Sequence, residues 1–426
     1  MARYKAYITI AACCAIVSSL AACDCNSGWG NGCNNTYIYY PPYPGVGDGA
    51  NPNGMVAGGD GNYYGTTANG GNNGQGAFFR VTPAGVETTL YSFAGGGTDG
   101  ADPEGLIQGT DGNFYGATNF GGNAACISGC GTVFRITPAG VETVLYFFGG
   151  AADGGDPNGV VEGSDGNFYG TASYGGLTNG SCGASGCGVI FRLTPAGGES
   201  VLYSFPGGAN GVLPVSLIQG TDGNFYGTTV YGGQSNNGTV FKVAASGAQT
   251  VLHSFSGGSD GQLPQQTQLI EGSDGNFYGT TPYGGTNSRG VVYRITPAGA
   301  ETVLYSFAGG TTDGALPGTA LVENGGNLYG TTNAGGSADC AGGCGTVFKL
   351  TPAGVESVLF FFGPSAISGA QPPNPSGLLV ALNYPAATGD LAGITTNGGR
   401  YGVGSVFSLT SAGTAAVLYS FGTNNP

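Results

Sequence analysis

The fold is decided by a repeated unit whose two halves are LIQGTDGNFYG at residues 106–116 and GTVFRITPAGVETVLY at residues 131–146. In the first half, Asp-Gly is a dipeptide typical of a β-hairpin turn. The aromatic and Thr-rich segments around it are typical of strands. In the second half, Pro-Ala-Gly joins two more strand-like segments. One unit therefore predicts four short strands.

This unit recurs along most of the chain, which is the signature of a repeat architecture. The Asp-Gly-Asn pattern begins at Asp60, Asp111, Asp165, Asp222 and Asp274. It decays to Gly-Gly-Asn at 325–327 and is nearly lost around Asp390, whereas the Val-Phe-Arg pattern continues to Val406-Phe407-Ser408. Seven units of four strands predict an all-β fold, a seven-bladed β-propeller. An open β-solenoid is the alternative.

Composition narrows the function classes. The chain has 426 residues, of which 89 are Gly, without the period of collagen. Only 8% of residues are charged and 11% are aromatic, which argues against disorder. The net charge of −14 makes nucleic-acid binding an unlikely class. The single His, His253, excludes His-rich metal sites, and it replaces the Tyr found at this place in neighbouring units.

The amino-terminal residues read as an export signal. Arg3 and Lys5 precede an apolar run that is too short to span a membrane comfortably. The segment Leu-Ala-Ala-Cys ending at Cys23 resembles the lipobox of bacterial lipoproteins, which implies cleavage before Cys23 and its acylation. An ordinary signal peptide is the alternative. We expect a signal peptide at 1–22, a tether at 23–52 and a monomeric propeller at 53–426.

The repeated motifs DGNFYGTT, GTVFRITPAG and ETVLYSF resemble the GloVer (Gloeobacter–Verrucomicrobia) tandem repeat of exported bacterial "choice-of-anchor" proteins. The resemblance covers nearly all of the expected mature chain. It implies display at the bacterial envelope, on the periplasmic side or at the cell surface. It implies no particular activity and no catalytic residues.

Charged residues recur at fixed places in the unit. A basic residue of the third strand is followed seven residues later by Glu. A four-residue Thr-Pro-Ala-Gly loop would set the two opposite each other, which predicts cross-strand ion pairs. The expected pairs are Arg80–Glu87, Arg135–Glu142, Arg192–Glu199, Arg294–Glu301 and Lys349–Glu356. A ring of basic ligand contacts is the alternative interpretation.

The loops that vary between units, after the second and fourth strands, would share one face of a propeller. Variable loops on a rigid scaffold are common binding sites. Asp-Gly-x-x-Pro loops place six carboxylates there, which we expect near the mouth of the central channel: Asp99, Asp102, Asp153, Asp156, Asp260 and Asp313. They are candidates for contacts with Ca²⁺ or sugar hydroxyls. The alternative is that they only shape turns.

Two further sets are candidates on the same face. Aromatic residues precede Gly-Gly at Phe120, Tyr174, Tyr231 and Tyr283, where they would stack on sugar rings or bind peptide. Arg289 and Arg400 depart from the repeat and would meet an anionic group. The alternatives are packing between blades for the aromatic residues and ordinary solvated charge for the arginines.

Close cysteine pairs in three loops predict disulfides in an oxidising compartment. The pairs are Cys126–Cys130, Cys182–Cys187 and Cys340–Cys344, with Cys25–Cys33 predicted in the tether. Metal binding by these thiolates is the alternative, although no His lies near them.

Three functions are compatible with these features. The favoured hypothesis is a lipid-anchored binding module for an envelope or extracellular polymer or a protein partner. The others are a structural envelope scaffold and a carboxylate-based carbohydrate hydrolase or lyase, which would need two acids about 5–10 Å apart. A symmetric ring of Asp residues would favour binding, and one close, shielded pair would favour catalysis.

Overall fold

The computed structural model describes residues 47–422, apart from 124, 127–128, 179, 266–267, 341, 364–381 and 384–390. The described residues form seven antiparallel sheets, one for each unit, and together these are the blades of a seven-bladed β-propeller. The prediction of the fold is therefore confirmed. Within the described residues there is no α-helix, and no helix is long and apolar enough to cross a membrane.

The strands of the first four blades follow the predicted order. Blade 1 holds β1 (Ala50–Ala57), β2 (Tyr63–Asn69), β3 (Ala77–Val81) and β4 (Glu87–Ser92). Blade 2 holds β5 (Gly100–Gln108), β6 (Phe114–Gly121), β7 (Thr132–Ile136) and β8 (Glu142–Phe147). Blade 3 holds β9 (Gly155–Glu162), β10 (Phe168–Tyr174), β11 (Val189–Leu193) and β12 (Glu199–Ser204). Blade 4 holds β13 (Val212–Gln219), β14 (Phe225–Tyr231), β15 (Thr239–Val243) and β16 (Gln249–Ser254).

The other three blades have shorter first strands. Blade 5 holds β17 (Ile270–Glu271), β18 (Phe277–Thr281), β19 (Val291–Ile295) and β20 (Glu301–Ser306). Blade 6 holds β21 (Gly314–Pro317), β22 (Val322–Asn324), β23 (Asn327–Gly335), β24 (Thr346–Leu350) and β25 (Glu356–Phe361). Blade 7 holds β26 (Leu382–Asn383), β27 (Leu391–Thr395), β28 (Ser405–Leu409) and β29 (Ala415–Ser420). In blade 6, β21 and β22 both pair with β23, so its first strand is interrupted.

The glycine in the middle of each second strand lets the third strand lie close. A Cβ on Gly116 would come within 2.7 Å of both the Gly105 carbonyl oxygen and the Phe134 ring. Phe134 is fully buried, so its ring occupies the space that a side chain at 116 would need. The Tyr-Gly-Thr pattern is thus a packing requirement of the blade.

The hydrophobic core lies between blades. Each of seven buried clusters takes residues from two neighbouring blades, and the seven together cover every junction of the ring. Between blades 2 and 3, for example, Phe148 packs edge-on against Phe191, with ring centroids 5.1 Å apart. The blades are held together mainly by burial of these aromatic and aliphatic side chains.

A second contact recurs at or before the first strand in blades 1 to 6. There, a residue with φ between 52° and 57° precedes a proline at Asn51, Asp102, Asp156, Leu213, Leu263 and Leu316. The backbone N–H of each residue donates to a carbonyl of the preceding blade; Asp102 N–H, for instance, donates to Gln75 O at 3.0 Å. The proline then packs against a glycine of that blade, as Pro103 does against Gly76.

The same contact closes the ring between blades 7 and 1. The Asn51 N–H donates to Val403 O at 2.7 Å, and Pro52 packs against Gly404. Phe79 and Phe421 also meet across this junction, with centroids 4.9 Å apart. Blade 7 keeps its own four strands, so the ring closes by contact between blades and not by exchange of a strand. Strand β1 begins at Ala50, inside the stretch predicted as tether.

The predicted cross-strand ion pairs are wrong because the register differs by one residue. Arg80 lies opposite Thr88, and Glu87 lies opposite Val81; the corresponding offset holds for all five pairs. Adjacent residues of a strand face opposite sides, so Arg and Glu point away from each other. The five predicted pairs that this register rules out are Arg80–Glu87, Arg135–Glu142, Arg192–Glu199, Arg294–Glu301 and Lys349–Glu356.

Two basic side chains at this strand position lie instead beside the Asp-Gly-Asn turn of their own blade. Lys242 Nζ lies 2.9 Å from Asp222, and Arg192 Nε lies 4.0 Å from Asp165. Asp222 also accepts a hydrogen bond from the Tyr226 hydroxyl at 2.8 Å. These turns lie on the face opposite the variable loops and form part of the scaffold.

Candidate functional site

The first strands are the innermost strands, and those of neighbouring blades meet near the axis. A Cβ on Gly54 would lie 3.6 Å from the Gly105 Cα, and one on Gly105 would lie 3.6 Å from the Gly159 Cα. The residues before the six prolines therefore surround the entrance of the channel on the variable-loop face. We call these six residues the channel mouth: Asn51, Asp102, Asp156, Leu213, Leu263 and Leu316.

Two neighbouring positions of the channel mouth are acidic, Asp102 and Asp156, whereas Asn51 is neutral. The predicted residues Asp102 and Asp156 lie together there, and Glu104 lies beside them. The buried Asn119 amide donates to Asp102 Oδ2 at 3.2 Å and to Glu104 Oε1 at 3.0 Å. Among the described residues, no basic side chain forms an ion pair with any of the three acids.

Burial and mutual repulsion disfavour the charged forms of these acids. Burial, with the Glu104 charge, raises the pKa of Asp102 to about 7. Burial, with the charges of Glu104 and Asp102, raises the pKa of Asp156 to about 8. Burial also raises the pKa of Glu104. The cluster thus binds protons near neutral pH and would release them to an incoming cation.

The other three positions of the channel mouth are apolar. Leu213, Leu263 and Leu316 are half-buried and occupy the same left-handed backbone position as Asp102 and Asp156. Because the backbone N–H and the following proline hold this position in every case, the side chain is free to differ from blade to blade. The channel mouth therefore presents carboxyl groups on one side and leucine side chains on the other.

Sequence analysis missed Glu104. At the equivalent place, blades 1 and 3 have Asn53 and Asn158, whose amides donate to the proline carbonyl of the next blade at 2.6 and 3.0 Å. An ionised Glu104 has no proton to donate there. The residue after the proline varies between units, with Val215, Gln265 and Gly318 in blades 4 to 6. Glu104 is the one acid at this position in blades 1 to 6, which was the signal that would have identified it.

The other four predicted carboxylates lie at the outer edge, away from the channel mouth. Asp99, Asp153 and Asp313 accept a hydrogen bond from a Tyr hydroxyl of the outermost strand at 2.9, 2.9 and 3.0 Å. Each also accepts from a backbone N–H of its own loop at 2.6 to 2.7 Å. Asp260 binds the Ser256 N–H at 2.8 Å in the same way. The hydrogen bonds of these four residues hold their own loops in place.

A Glu of the next blade approaches each outer-edge Asp. Burial and the neighbouring Asp charge raise the pKa of this Glu to about 7 at Glu142, Glu199, Glu301 and Glu356. Burial, with the Asp48 charge, does the same for Glu87, where Tyr419 donates to Asp48. We call such a set of Tyr or His, Asp and Glu an acid junction; five are described.

The junction between blades 3 and 4 differs in both carboxyl positions. Asn210 replaces the Asp, and Gln249 replaces the Glu. The Tyr203 hydroxyl donates to Gln249 Oε1 at 3.4 Å, and Gln249 Nε2 donates to Asn210 O at 3.3 Å. We call this set the amide junction. A cavity of about 470 Å³ lies beside it, lined in part by Asn210, Gln249 and His253.

His253 takes the place of the Tyr in the acid junction between blades 4 and 5. Its Nε2 lies 3.3 Å from Asp260 Oδ2. Burial lowers the pKa of His253, although Asp260 acts in the opposite direction. Ser256 Oγ donates to Asp260 and not to His253, so these three residues do not form the relay of a serine hydrolase.

The predicted aromatic and arginine candidates lie on the variable-loop face at separate places. Each aromatic residue lies at or just beyond the end of a second strand, with Phe120 38% exposed and the others half-buried: Tyr174, Tyr231 and Tyr283. Arg289 and Arg400 are exposed and form no ion pair with any described residue. The Arg400 guanidinium lies 5.5 Å from the Tyr401 ring centroid.

Three predicted disulfides are confirmed. Cys126–Cys130, Cys182–Cys187 and Cys340–Cys344 are bonded, with Cα–Cα distances of 5.1, 4.9 and 5.3 Å. Cys23 and the predicted Cys25–Cys33 pair lie outside the described residues, as does the signal peptide at 1–22. Among the described residues, no group of three or more His, Cys, Asp or Glu is arranged to hold a metal ion, so Ca²⁺ binding stays a prediction.

Comparison with known proteins identifies the repeat and the fold. The model of the Gloeobacter/Verrucomicrobia repeat matches residues 51–272 and 258–426. No curated protein matches the chain. A 6-phosphogluconolactonase-like structure from Bacteroides uniformis is 15% identical, with a TM-score of 0.51 over 85% of this chain and 95% of that one. A puromycin hydrolase is 13% identical, with a TM-score of 0.56 over 88% of this chain and 54% of that one. At these identities the structures share the fold alone.

Proposed function

The chain belongs to the Gloeobacter/Verrucomicrobia repeat family, and on that premise we propose that it is an exported binding module whose channel mouth takes up a cationic group of an envelope or extracellular polymer or protein. The repeat family and the three disulfides both point to an extracytoplasmic protein. The propeller supplies a rigid frame, and the partner is contacted on its variable-loop face.

The carrying observation is the group of three carboxyls without a basic partner. Besides burial, the Glu104 charge raises the pKa of Asp102, and the Glu104 and Asp102 charges raise that of Asp156. The three carboxyls therefore lie close enough to repel one another, where burial strengthens electrostatic interaction. A bound ammonium or guanidinium group would favour the ionised forms of these carboxyls, because its positive charge balances their negative charges. The leucines opposite suit an apolar body attached to that cation. A Lys or Arg side chain next to an apolar residue has this chemistry, and so does an amino sugar.

Calorimetry tests the proposal. The probes are a Leu-Lys-Leu peptide, a Leu-Arg-Leu peptide and a chitosan tetramer, titrated at pH 7 in two buffers that differ in ionisation enthalpy. We expect at least one probe to bind with release of protons, and Asp156→Asn to weaken it at least tenfold. Asp274→Asn, a matched change on the opposite face, is expected to leave binding unchanged. Absence of binding by all three probes, or equal effects of the two variants, would contradict the proposal.

A second candidate is catalysis by the same acids. Carboxyls with pKa values raised toward neutrality are typical of general acid–base sites, and Asp102 and Asp156 have this property. Hydrolysis of chromogenic glycosides and lactones that is abolished in Asp156→Asn would favour an enzyme. Binding without turnover would favour the module.

The attachment to the envelope rests on the Leu-Ala-Ala-Cys motif at residues 20–23. We propose that Cys23 carries the lipid and anchors the propeller. Metabolic labelling with an alkyne fatty acid is expected to mark the wild-type protein, whereas Cys23→Ala is expected to be unlabelled and released from the membrane fraction. Labelling that persists in Cys23→Ala would contradict the anchor.

A further inference from the structure

The cavity beside the amide junction lies apart from the channel mouth. It runs along β16, the outermost strand of blade 4, and reaches the loops of the variable face at Asn210 and Gln234. The channel mouth belongs to the innermost strands. The cavity therefore forms a separate surface, and its interpretation does not rest on the function proposed above.

The chemistry of the lining is mainly neutral and polar. Asn210, Gln234 and Gln249 contribute amides, and Val251 contributes aliphatic surface, whereas the neighbouring Leu252 side chain packs into the core between blades 4 and 5. No carboxylate or ammonium group is among the lining residues. His253 also lines the cavity, and Asp260 lies at its Nε2. A charged ligand would lose its hydration on binding there without gaining an opposite charge from the lining, which costs free energy.

At this junction amides replace the acids at both carboxyl positions. At five junctions the two positions hold Asp and Glu, whereas here both are replaced at once, by Asn210 and Gln249. The replacements keep the shape of the side chains but add N–H donors. The Gln249 amide accepts from the Tyr203 hydroxyl at 3.4 Å and donates to the Asn210 backbone carbonyl at 3.3 Å. Both bonds are long, so the Gln249 amide retains capacity for a better partner.

Hydroxyl groups match this lining best. Each amide offers both a donor and an acceptor, and a hydroxyl uses both. The C–H face of a sugar ring suits the aliphatic side chain of Val251. The volume of about 470 Å³ lies within the usual range for small-ligand sites. We propose that the cavity at the amide junction binds a neutral saccharide.

Titration of the folded chain with neutral trisaccharides tests this site. The probes are maltotriose, cellotriose, laminaritriose and xylotriose, followed by calorimetry and by saturation-transfer NMR. We expect at least one to bind saturably. We expect Gln234→Ala, a change on an exposed loop, to weaken it at least tenfold. Gln249→Glu is expected to weaken it similarly, because a carboxylate removes the amide donor.

Two controls separate this site from its surroundings. Gln219→Ala removes a glutamine from the opposite face of the same blade and is expected to leave saccharide binding unchanged. Asp156→Asn at the channel mouth is also expected to leave it unchanged. If Asp156→Asn abolishes binding and Gln234→Ala does not, the sugar binds at the mouth and the proposal is wrong.

Other outcomes would also overturn the proposal. Absence of binding by all four trisaccharides would do so. Binding of an uncharged extended peptide such as an acetylated Thr-Val-Thr-Val amide, lost in Gln234→Ala and accompanied by no sugar binding, would assign the cavity to a peptide lying along β16. The calorimetric arms with cationic probes are run on the same variants, so failure at one site is distinguishable from failure at the other.

Discussion

The junctions on the two sides of blade 3 share a core and differ at the outer edge. On one side Phe148 packs against Tyr146 and Phe191, with centroids 5.1 Å away in both cases. On the other side Phe205 packs against Tyr203 and Phe241 at 5.0 and 5.2 Å. The outer edge carries Asp and Glu at the first junction and two amides at the second.

The comparison assigns stability of the ring to the aromatic core and assigns recognition to the polar outer edge. The aromatic core repeats with almost unchanged geometry, so the association of blades depends on it at both junctions. The polar edge varies, and its variation changes charge, titration and the adjoining cavity. The scaffold therefore tolerates chemical change at the outer edge that it would not tolerate a few ångströms further in. The predictions below test this separation.

Removal of the core ring should have the largest effect, and it should be equal at the two junctions. Phe148 and Phe205 are both fully buried. Phe→Ala changes at such sites cost about 3–5 kcal/mol through lost burial and the cavity left behind. We expect Phe148→Ala and Phe205→Ala to lower the free energy of unfolding in urea by similar amounts. A difference above about 2 kcal/mol would show that the two cores are not equivalent.

Removal of a disulfide should have a smaller effect. Cys182 and Cys187 close a short loop beside the amide junction, and short loops lose little conformational entropy on closure. We expect the Cys182→Ser/Cys187→Ser variant to lose about 2 kcal/mol or less. The control is Cys126→Ser/Cys130→Ser at the acid junction, measured by the same urea unfolding. A loss as large as that of Phe205→Ala would contradict the dominance of the core.

The acid junctions should make stability depend on pH. The pKa of Glu199 is about 7 in the folded chain against 4.5 for a free Glu. The folded state thus holds more protons than the unfolded state between these values, so stability is full below pH 4.5 and falls as pH rises through 7. We expect Glu199→Gln to raise the free energy of unfolding at pH 8 by about 1 kcal/mol, discounted for partial exposure, and to change it little at pH 4.5.

The amide junction supplies the reverse experiment. The double variant Asn210→Asp/Gln249→Glu rebuilds an acid junction between blades 3 and 4. It should lose about 1 kcal/mol at pH 8 relative to the wild type and little at pH 4.5. If the pH dependence of unfolding is the same in the wild type and in both variants, the pKa of the outer Glu is not raised in the folded chain, contrary to the description above.

Loss of an ion pair on the opposite face should have the smallest effect. Lys242 and Asp222 are 2.9 Å apart, with side chains 29% and 41% exposed. Solvent screens such pairs, and their measured contributions are mostly below about 1 kcal/mol. We expect Lys242→Met to change the free energy of unfolding by less than that, with a smaller change still at high salt. If Lys242→Met lowers the free energy of unfolding by about 3 kcal/mol, Lys242 has a structural role beyond this exposed ion pair, and the prediction is wrong.

The repeat made the propeller predictable, since turn dipeptides and strand-like segments recur at fixed offsets. It could not settle register. One residue of displacement in the Thr-Pro-Ala-Gly turn places Arg80 and Glu87 on opposite sides of the sheet. The turn hydrogen bond from Thr82 N–H to Val86 O sets this displacement. Sequence offers only the spacing of seven, which fits an opposed pair equally well.

The same limit applies to the candidate site. Asp99 and Asp102 lie three residues apart in one motif, and sequence treats them alike. In the fold, Asp99 turns outward to Tyr91, whereas Asp102 lies on the innermost strand beside Glu104. The backbone at Asp102 is left-handed, and its N–H donates to the Gln75 carbonyl of the preceding blade; this contact separates the two directions. No local pattern in the chain contains that information.

The contact that closes the ring has a consequence for where the chain is cut. Asn51, Pro52 and Gly404 join blades 7 and 1 as equivalent residues join the other described blades. Near the same place, the Gly422 N–H donates to Asp48 at 3.0 Å, so the two ends of the propeller meet. The junction of blades 7 and 1 is therefore held by the same kind of contact as the other described junctions, and the ring does not depend on which blade comes first in the chain. A circular permutant that links 422 to 48 and opens the turn at 196–197 should keep the same cooperative unfolding.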